Sequence, residues 1–402
     1  MKIILVLLIA MLSQTVFSID YGIDRLDEAS VSKVFEGKKL AVLTHAAAKS
    51  KSGIHLIDSL HQKFELKKIF APEHGLRTLN DDWVEDGIDQ ATGLPVISLY
   101  KQGERAPKPS DLVGIDAIVV DLQDVGVRYY TYFSTIAEVM KALAPLNIEV
   151  IILDRPNLLG GAVMEGKVLD PELAGSFTAY HTVPTRHGMT LGELALMINS
   201  ENNINSKLTV IPASGWNREN LLFSSDRPWL APSPALVQID QVGLYAIWGT
   251  LENFNLSVGR GKSNDMAFRV IGAPWITKNE SELFAKNINA LGFSGLEFSA
   301  YSWKVTRAIY EGQQAHGVLV KWNGSEVRTD EVTYKVSALM FKHFKGRAKL
   351  NKMSNQSYGS VKMIEAIEAN LSWERYQEVI DRELKAFETR RAKFLLYSLL
   401  KN

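Results

Sequence analysis

The chain has 402 residues, enough for two or more domains of about 100–200 residues each. Its 45 basic and 45 acidic residues cancel, so no overall charge attracts nucleic acid or an anionic membrane. It contains no cysteine, which excludes disulfides, thiol catalysis and cysteine-ligated metals. We therefore expect a soluble protein whose stability depends on its hydrophobic core.

The N-terminus has the pattern of a secretory signal peptide. Lys2 is followed by the apolar run Ile3–Met11 and then by small and polar residues up to Ser18. The run is too short to span a bilayer comfortably. The alternative to a signal peptide is a buried first helix. We assign residues 1–18 to a signal peptide and expect an exported protein, periplasmic or secreted. No later segment is long and apolar enough for stable membrane insertion.

Beyond residue 38, short apolar runs alternate with amphipathic stretches. The runs predict five strands, at Leu40–Thr44, Leu66–Phe70, Leu94–Tyr100, Ile115–Leu122 and Glu149–Leu153. Helical spacing of apolar residues predicts helices at Ile54–His61 and Phe133–Leu146. Nearly continuous apolar strands are typical of parallel sheets that are buried on both faces. The pattern therefore predicts an α/β domain with a mostly parallel sheet.

Polar side chains cluster directly after two of these strands. The second strand stops at Pro72, and the fourth leads into a long loop before the next helix. In open α/β sheets, ligands bind beyond the carboxyl ends of the strands. The alternatives are an ordinary turn with solvated charges and a capped helix start. The candidate functional residues at these two strand ends are Glu73, His74, Arg77, Asp121, Asp124, Arg128, Tyr129 and Tyr130.

The remaining chain divides near the proline-rich segment Pro228–Pro234, which predicts domains at residues 19–232 and 233–402. In the first domain, Thr190 and Glu193 form a capping box for a helix over Leu191–Asn199, which favours a structural role for Glu193. His187, just before this helix, remains a candidate for substrate contact. The further predicted strands are Leu208–Ile211, Ala267–Ile271, Leu296–Ala300 and Gly317–Lys321, and the further helices are Gln241–Thr250, Ser281–Leu291, Glu331–Phe344 and Trp373 to about Leu399.

No pattern predicts a cofactor or a metal. The glycines around Gly259–Gly261 do not have the spacing of a phosphate-binding loop, because Leu256 stands where that motif requires glycine. No G-x-G-x-x-G motif follows a predicted strand, and no metal-ligand spacing is evident. We expect neither a cofactor nor a metal.

Several longer stretches, taken together, resemble the NamZ-type exo-β-N-acetylmuramidases. They are APEHGLR, GLPVISLY, VVDLQDVGVRYYTYFSTI, LDRPN, VPTRHGMTLGELA and NLSVGRG followed by IGAPW, in this order. The resemblance runs from about Lys39 to the C-terminus. It implies a Rossmann-like N-terminal domain, a smaller α/β (α+β) C-terminal domain and an active-site cleft between them.

The resemblance also implies a reaction and a catalytic residue. Such an enzyme releases N-acetylmuramic acid from the non-reducing ends of peptidoglycan fragments, so the expected partners are muramyl-glucosamine sugars. The glutamate of the PEHG motif, here Glu73, is the candidate acid, because glycoside hydrolysis needs a group that protonates the leaving oxygen. Asp121, Asp124 and Glu252 are candidates for the second group. The substrate's own acetamido oxygen is the other possibility, and the sequence decides neither this choice nor retention against inversion.

Roles in substrate binding follow from the chemistry of muramic acid. Its lactyl carboxylate suits a bidentate arginine, for which Arg77, Arg128 and Arg260 are available and Arg128 and Arg260 are preferred. His74 or His187 would orient Glu73 or bind a sugar hydroxyl. Tyr129 and Tyr130 would stack on the sugar or simply pack. The competing function is a non-catalytic protein that binds peptidoglycan or muropeptides in the same cleft.

Overall fold

The computed structural model describes residues 18–77, 85–101, 105–220, 227–324, 327–351, 353–369 and 371–398. The predicted signal peptide, apart from Ser18, lies outside the described residues. Within the described ranges, no helix is both long enough and apolar enough to cross a membrane.

A seven-stranded sheet forms the centre of the first domain. Its strands are β1 (Lys39–Thr44), β2 (Glu65–Ala71), β3 (Gly87–Ile88), β4 (Pro95–Ser98), β5 (Ala117–Asp121), β6 (Glu149–Leu153) and β7 (Leu208–Ile211). Their order is β3-β4-β2-β1-β5-β6-β7, and all neighbours are parallel except β3 and β4. The order reverses beside β1, which opens a crevice at the carboxyl ends of β1 and β5.

The central strands are buried on both faces, as their continuous apolar sequence predicts. Every residue of β5 and β6 is buried, because helices cover the sheet. The helices of this domain are α1 (Ala29–Ser32), α2 (Leu56–Lys63), α3 (Tyr132–Leu143) and α4 (Leu191–Glu201). Thr190 and Glu193 form the predicted capping box at the start of α4, and Glu193 also pairs with the buried Arg218.

The second domain contains a smaller, antiparallel sheet. Its strands are β8 (Val270–Ala273), β9 (Leu296–Lys304) and β10 (Gln314–Trp322), in the order β8-β10-β9. Its helices are α5 (Asp240–Trp248), α6 (Lys278–Asn289), α7 (Thr329–His343), α8 (Ser354–Tyr358), α9 (Met363–Glu368) and α10 (Trp373–Arg391). Helix α6 packs against β9 and β10. The fold class predicted from the sequence is confirmed.

The C-terminal segment returns to the first domain. The Tyr397 hydroxyl donates a hydrogen bond to Oδ2 of Asp154, just beyond β6, at 2.7 Å. Arg391 donates to the carbonyl of Gly188 at 2.9 Å. Burial raises the pKa of Asp154 to about 6. Helix α10 ends at Arg391, so the sequence-based end near Leu399 is wrong, because the chain leaves the helix to reach Asp154.

Candidate active site

A cavity of about 280 Å³ lies between the two domains. The first domain contributes loops that follow β2, β4 and β5, and the second contributes α5 and the loops around it. The lining residues are Glu73, His74, Tyr100, Tyr129, Tyr130, Thr131, Thr178, Ser233, Ala235, Leu236, Tyr245, Glu252, Arg260 and Phe268. Two carboxylates, a guanidinium and several aromatic rings therefore face one space.

A strained turn presents Glu73 to this cavity. Strand β2 ends at Ala71, and the amide of Gly75 donates to the carbonyl of Pro72 at 3.3 Å. His74 and Gly75 both have left-handed backbones, with φ of 72° and 86°. A left-handed conformation costs a residue with a side chain about 1–2 kcal/mol, and such strain is often found at functional sites. The turn leaves the Glu73 side chain half-buried at the end of the strand.

Two hydroxyl groups hold the Glu73 carboxyl. The Thr131 hydroxyl donates a hydrogen bond to its Oε2. Burial, together with the charge of Glu73 and a hydrogen bond to it, raises the pKa of Tyr100 to about 12, so this phenol keeps its proton near neutral pH. Strand β1 separates β2 from β5, so the loop after β5 passes over the end of β1 to bring Thr131 to Glu73. The Glu73 side chain is thus held by residues that follow β4 and β5, as well as by the turn at the end of its own strand.

The second domain contributes an ion pair to the cavity. Glu252 lies in the 3-10 turn after α5, and Arg260 lies in the loop before β8. Nη1 of Arg260 donates to Oε1 of Glu252 at 3.1 Å, and both side chains are half-exposed. The pKa of Tyr245 is raised well above its usual value by burial first, and also by the charges of Glu252 and Glu73. The charges of both carboxylates therefore raise the pKa of the same phenol.

Tyr129 and Tyr130 line the cavity with their rings but use their hydroxyls elsewhere. The Tyr129 hydroxyl donates to the carbonyl of Tyr245 at 2.9 Å, and the Tyr130 hydroxyl donates to that of Pro232 at 3.1 Å. Both bonds connect the loop after β5 to the chain near the domain boundary. The tyrosines therefore serve packing between the domains and still present aromatic surface to a ligand.

Asp121 and Arg77 are not among the lining residues. Asp121 is fully buried and forms an ion pair with Arg155, whose Nη2 donates to Oδ2 at 3.0 Å. Arg77 donates to Asp58, in α2, at 2.9 Å and to Asp89, just after β3, at 3.0 Å. Both residues therefore form ion pairs within the first domain and do not face the cavity.

Arg128 is also outside the cavity. Its side chain is buried, and its guanidinium donates to the carbonyls of Lys167, Val183 and Ser357 at 2.7, 2.9 and 3.0 Å. Burial lowers the pKa of Arg128 to about 10. The preferred pair of Arg128 and Arg260 is thus not assembled for carboxylate binding, because Arg128 instead connects the first domain to helix α8.

Asp124 and His187 lie close together and are not among the lining residues of the cavity. Oδ1 of Asp124 accepts from the amide of Gly126 at 2.6 Å and is 3.7 Å from Nε2 of His187. Both side chains are buried, and neither lines the cavity. The charge of Asp124 adds to burial in raising the pKa of Tyr130. This pair therefore does not face the cavity, although the charge of Asp124 acts on Tyr130, which does.

Three residues that interact with Glu73 are not among those predicted from the sequence. Tyr100 follows β4 just as Glu73 follows β2, so the strand-end rule could have found it. Thr131 lies in the loop after β5, where a threonine hydroxyl does not stand out beside the charged and aromatic residues. Tyr245 lies on the buried helix α5, where nothing in the sequence distinguishes it from other core residues. No group of three or more His, Asp or Glu in the described ranges could hold a metal ion.

Comparison with known proteins assigns the chain to a family. The N-terminal model of the exo-β-N-acetylmuramidase NamZ matches residues 40–240, and the C-terminal model matches residues 243–397. The chain belongs to the NamZ family. It is 33% identical over 391 residues to the peptidoglycan β-N-acetylmuramidase NamZ of Bacillus subtilis (strain 168), covering 94% of this chain and 91% of that protein. The family assignment supports a glycoside hydrolase related to peptidoglycan.

Two crystal structures of DUF1343 family proteins from Bacteroides fragilis NCTC 9343 have the same fold. One has a TM-score of 0.84 at 30% identity and covers 95% of this chain and 100% of its own. The other has a TM-score of 0.75 at 25% identity and covers 95% of this chain and 99% of its own. The two-domain architecture therefore occurs over the full length of both structures.

Proposed function

We propose that this protein is an exo-acting glycoside hydrolase that releases N-acetylmuramic acid from the non-reducing ends of peptidoglycan fragments. The observation that carries the proposal is the placement of Glu73 in the interdomain cavity, held by two hydroxyls and accompanied by the Glu252–Arg260 ion pair. Membership of the NamZ family supports the class of reaction.

Glu73 is the proposed general acid. In its protonated form it gives a proton to the glycosidic oxygen as the bond to the anomeric carbon breaks, so the sugar leaves as a neutral alcohol. Thr131 and Tyr100 fix the position of its carboxyl group. A positioned acid of this kind contributes about 10²–10⁴-fold to the rate.

Glu252 is the protein's candidate for the second group. Of the three carboxylates considered from the sequence, it is the one that lines the cavity together with Glu73. It would either take a proton from the attacking water or attack the anomeric carbon itself; in the second case water, deprotonated by Glu73, then breaks the glycosyl–Glu252 bond and releases the sugar. The substrate's acetamido oxygen remains the alternative nucleophile, in which case Glu252 would serve to orient Arg260.

Arg260 is the proposed ligand of the lactyl carboxylate. It is the one arginine of the three candidates that lines the cavity. Because a guanidinium carries five N–H donors, Glu252 and a bound carboxylate can share it. The rings of Tyr129, Tyr130 and Tyr245, which line the same cavity, provide apolar surface for the sugar.

The decisive experiment is incubation of the purified protein with the muramyl-glucosamine disaccharide, with products separated and identified by mass. We expect one equivalent each of N-acetylmuramic acid and N-acetylglucosamine. The protein would instead be a non-catalytic binding protein if it bound the disaccharide, as measured by calorimetry, and released neither sugar.

A matched pair of variants tests the role of Glu73. Glu73→Gln should lower turnover of a chromogenic muramide by about 10²–10⁴-fold, because the amide cannot donate the required proton. Glu65→Gln, at an exposed position at the start of the same strand, should retain normal activity. Near-normal turnover by Glu73→Gln, with an unchanged circular dichroism spectrum, would exclude Glu73 as the acid.

The same proposal places the enzyme outside the cytoplasm, where peptidoglycan fragments arise. Its support is the N-terminal order of a lysine, an apolar run and small residues up to Ser18. Expression with and without residues 1–18, followed by cell fractionation, tests this. Export that does not depend on these residues would contradict the assignment.

A further inference from the structure

His45 is a buried histidine that directly follows β1. Strand β1 lies between β2, which leads to Glu73, and β5, which is followed by Thr131 and α3. His45 is not among the residues that line the interdomain cavity, so the proposed reaction makes no direct use of it. Its burial needs a reason, because burying a polar side chain costs free energy unless its hydrogen bonds are satisfied.

The hydrogen bonds of the His45 ring determine which of its nitrogens carries the proton. The amide of Gln123 donates to Nε2 at 3.1 Å, so Nε2 carries no proton. Nδ1 lies 3.3 Å from the hydroxyl oxygen of Tyr132, and the ring also forms a hydrogen bond with the carbonyl of Pro232, which can only accept. The neutral ring is therefore protonated at Nδ1, so it accepts at one nitrogen and donates at the other.

The surroundings of His45 keep its ring neutral. Burial lowers the pKa of the His45 imidazole well below its usual value, and Arg155, His55 and His74 lower it further. The hydrogen bond to the Pro232 carbonyl opposes these effects. A neutral imidazole with one fixed donor and one fixed acceptor gives its neighbours a defined direction of hydrogen bonding.

Tyr132, the first residue of α3, connects His45 to the turn that carries Glu73. Its hydroxyl oxygen lies 3.0 Å from the carbonyl oxygen of Pro232 and 3.4 Å from that of Glu73. Both carbonyls can only accept, so the hydroxyl directs its one proton at them and accepts from Nδ1 of His45. The rings of His45 and Tyr132 also meet edge-on, with 5.2 Å between centroids. His45 therefore determines the direction in which the Tyr132 hydroxyl donates.

Tyr132 is connected to Glu73 at two points. Its hydroxyl contacts the main chain of Glu73, directly before His74, whose backbone is left-handed with a φ of 72°. The hydroxyl of Thr131, the residue next to Tyr132, donates to the Glu73 carboxyl. A strained backbone persists only where the surrounding structure holds it in place. A shift of Tyr132 would therefore move both the turn and the carboxyl of Glu73.

We propose that His45 is a positioning residue for the hydrolytic reaction, because it orients Tyr132, which holds Glu73 in place. The inference rests on the proposed role of Glu73 as the general acid. Such an acid must lie within hydrogen-bond reach of the glycosidic oxygen, and a displacement of about 1 Å can lower the rate about 10²-fold. Loss of the His45 donor should therefore lower kcat, whereas KM should change little, since His45 does not line the cavity.

The first test is spectroscopic and requires no substrate. Proton–nitrogen correlation spectra of the protein labelled with nitrogen-15 histidine, recorded near neutral pH, distinguish protonated from unprotonated ring nitrogens. The spectrum of His45→Gln identifies the signals of His45 among those of the eight histidines. We expect a neutral ring with its proton on Nδ1. A proton on Nε2, or on both nitrogens, would overturn the proposal.

The second test compares kcat and KM for a chromogenic muramide. His45→Gln keeps an acceptor near the position of Nε2 and removes the donor at Nδ1. His45→Gln and Tyr132→Phe should each lower kcat about tenfold and change KM less than about twofold. The double variant should lose no more than Tyr132→Phe alone, because the two residues act in one chain of hydrogen bonds. His316→Gln, in β10, is the matched control and should retain normal kcat, although Nδ1 of His316 also has a hydroxyl partner, Ser302, at 2.7 Å.

A second substitution at the same position separates the donor from a purely structural role. The amide nitrogen of His45→Asn can donate from near the position of Nδ1, so this variant should retain a higher kcat than His45→Gln. It lacks the acceptor for the Gln123 amide and should be the less stable of the two in thermal denaturation. If His45 served stability alone, kcat would instead fall in the order of stability.

Normal kcat in His45→Gln or in Tyr132→Phe would overturn the proposal, as would losses that multiply in the double variant. A kcat of His45→Asn no higher than that of His45→Gln would do the same. If His45→Gln does not fold, the spectrum of the wild type, assigned with His45→Asn, and the kcat of Tyr132→Phe still decide. Failure of the muramidase proposal is a different result, because the wild type would then release no sugar, whereas these comparisons are made against an active wild type.

Discussion

The contact between the C-terminal segment and the first domain gives the most quantitative prediction. The Tyr397 hydroxyl donates to Oδ2 of Asp154 at 2.7 Å and accepts from the amide of Ala213 at 2.9 Å. Tyr397 is 9% exposed, and its ring packs edge-on against Trp216 with 4.9 Å between centroids. Tyr397→Phe keeps the ring contact and removes both hydrogen bonds.

The expected loss of stability follows from these two bonds. A hydrogen bond to a charged group contributes about 1.5–3 kcal/mol, and a buried amide without an acceptor costs about 1–3 kcal/mol. Because water reaches part of the site once the hydroxyl is gone, we expect a net loss of about 3 kcal/mol in the free energy of unfolding at pH 7.

Urea denaturation of Tyr397→Phe, followed by circular dichroism, measures this loss. Tyr301→Phe is the matched control, since the Tyr301 hydroxyl has no hydrogen-bond partner among the described residues, and it should change stability by less than about 0.5 kcal/mol. A loss below about 1 kcal/mol for Tyr397→Phe, or one equal to that of the control, would refute the reasoning.

Three other substitutions address the site and its support. Arg260→Ala should raise KM for a muramide about tenfold or more while changing glucosaminide turnover less, since a charge-assisted contact with the lactyl group is lost; equal effects in steady-state assays would argue against that contact. Tyr100→Phe should lower kcat severalfold with KM nearly unchanged, because Glu73 loses a donor that positions it; an unchanged kcat would contradict this. The folded-state pKa of Asp154 is about 6, above the 3.8 of an unperturbed aspartate, so its contribution to stability is present below about pH 4 and is lost as pH rises through about 6. Between pH 4 and pH 8, the free energy of unfolding of the wild type should therefore fall by about 2 kcal/mol more than that of Asp154→Asn, as measured by denaturant titrations. The same pH dependence in both proteins would exclude this assignment.

The sequence predicted the large sheet well because its central strands are apolar on both faces. Glu149–Leu153 and Leu208–Ile211 are strands over the predicted residues. Prediction was poorer where tertiary contacts define the element. The strand predicted at Ala267–Ile271 is observed at Val270–Ala273, because Phe268 has a φ of 60° and its amide donates to Val258 in a turn.

Site residues were harder to select than strands. The strand-end rule identified Glu73 and also Asp121, although only Glu73 lines the interdomain cavity. Asp121 is neutralised by Arg155, 34 residues away in sequence, and no local pattern reveals such a partner. The charge of Arg128 makes it a candidate from the sequence, yet its two terminal nitrogens donate to backbone carbonyls from three separate segments. Composition at a strand end indicates reactive groups, whereas the fold decides which of them face a ligand.

The carbonyl of Pro232 has a mechanical consequence. The hydroxyls of Tyr130, in the loop after β5, and of Tyr132, the first residue of α3, both donate to this single oxygen, so both lone pairs of the carbonyl oxygen are engaged. The segment that links the two domains is thereby hydrogen-bonded to the wall of the cleft, so it is poorly suited to act as a hinge. The cleft is consequently preorganised, and a rigid inhibitor shaped to its resting form would bind without the cost of closing it.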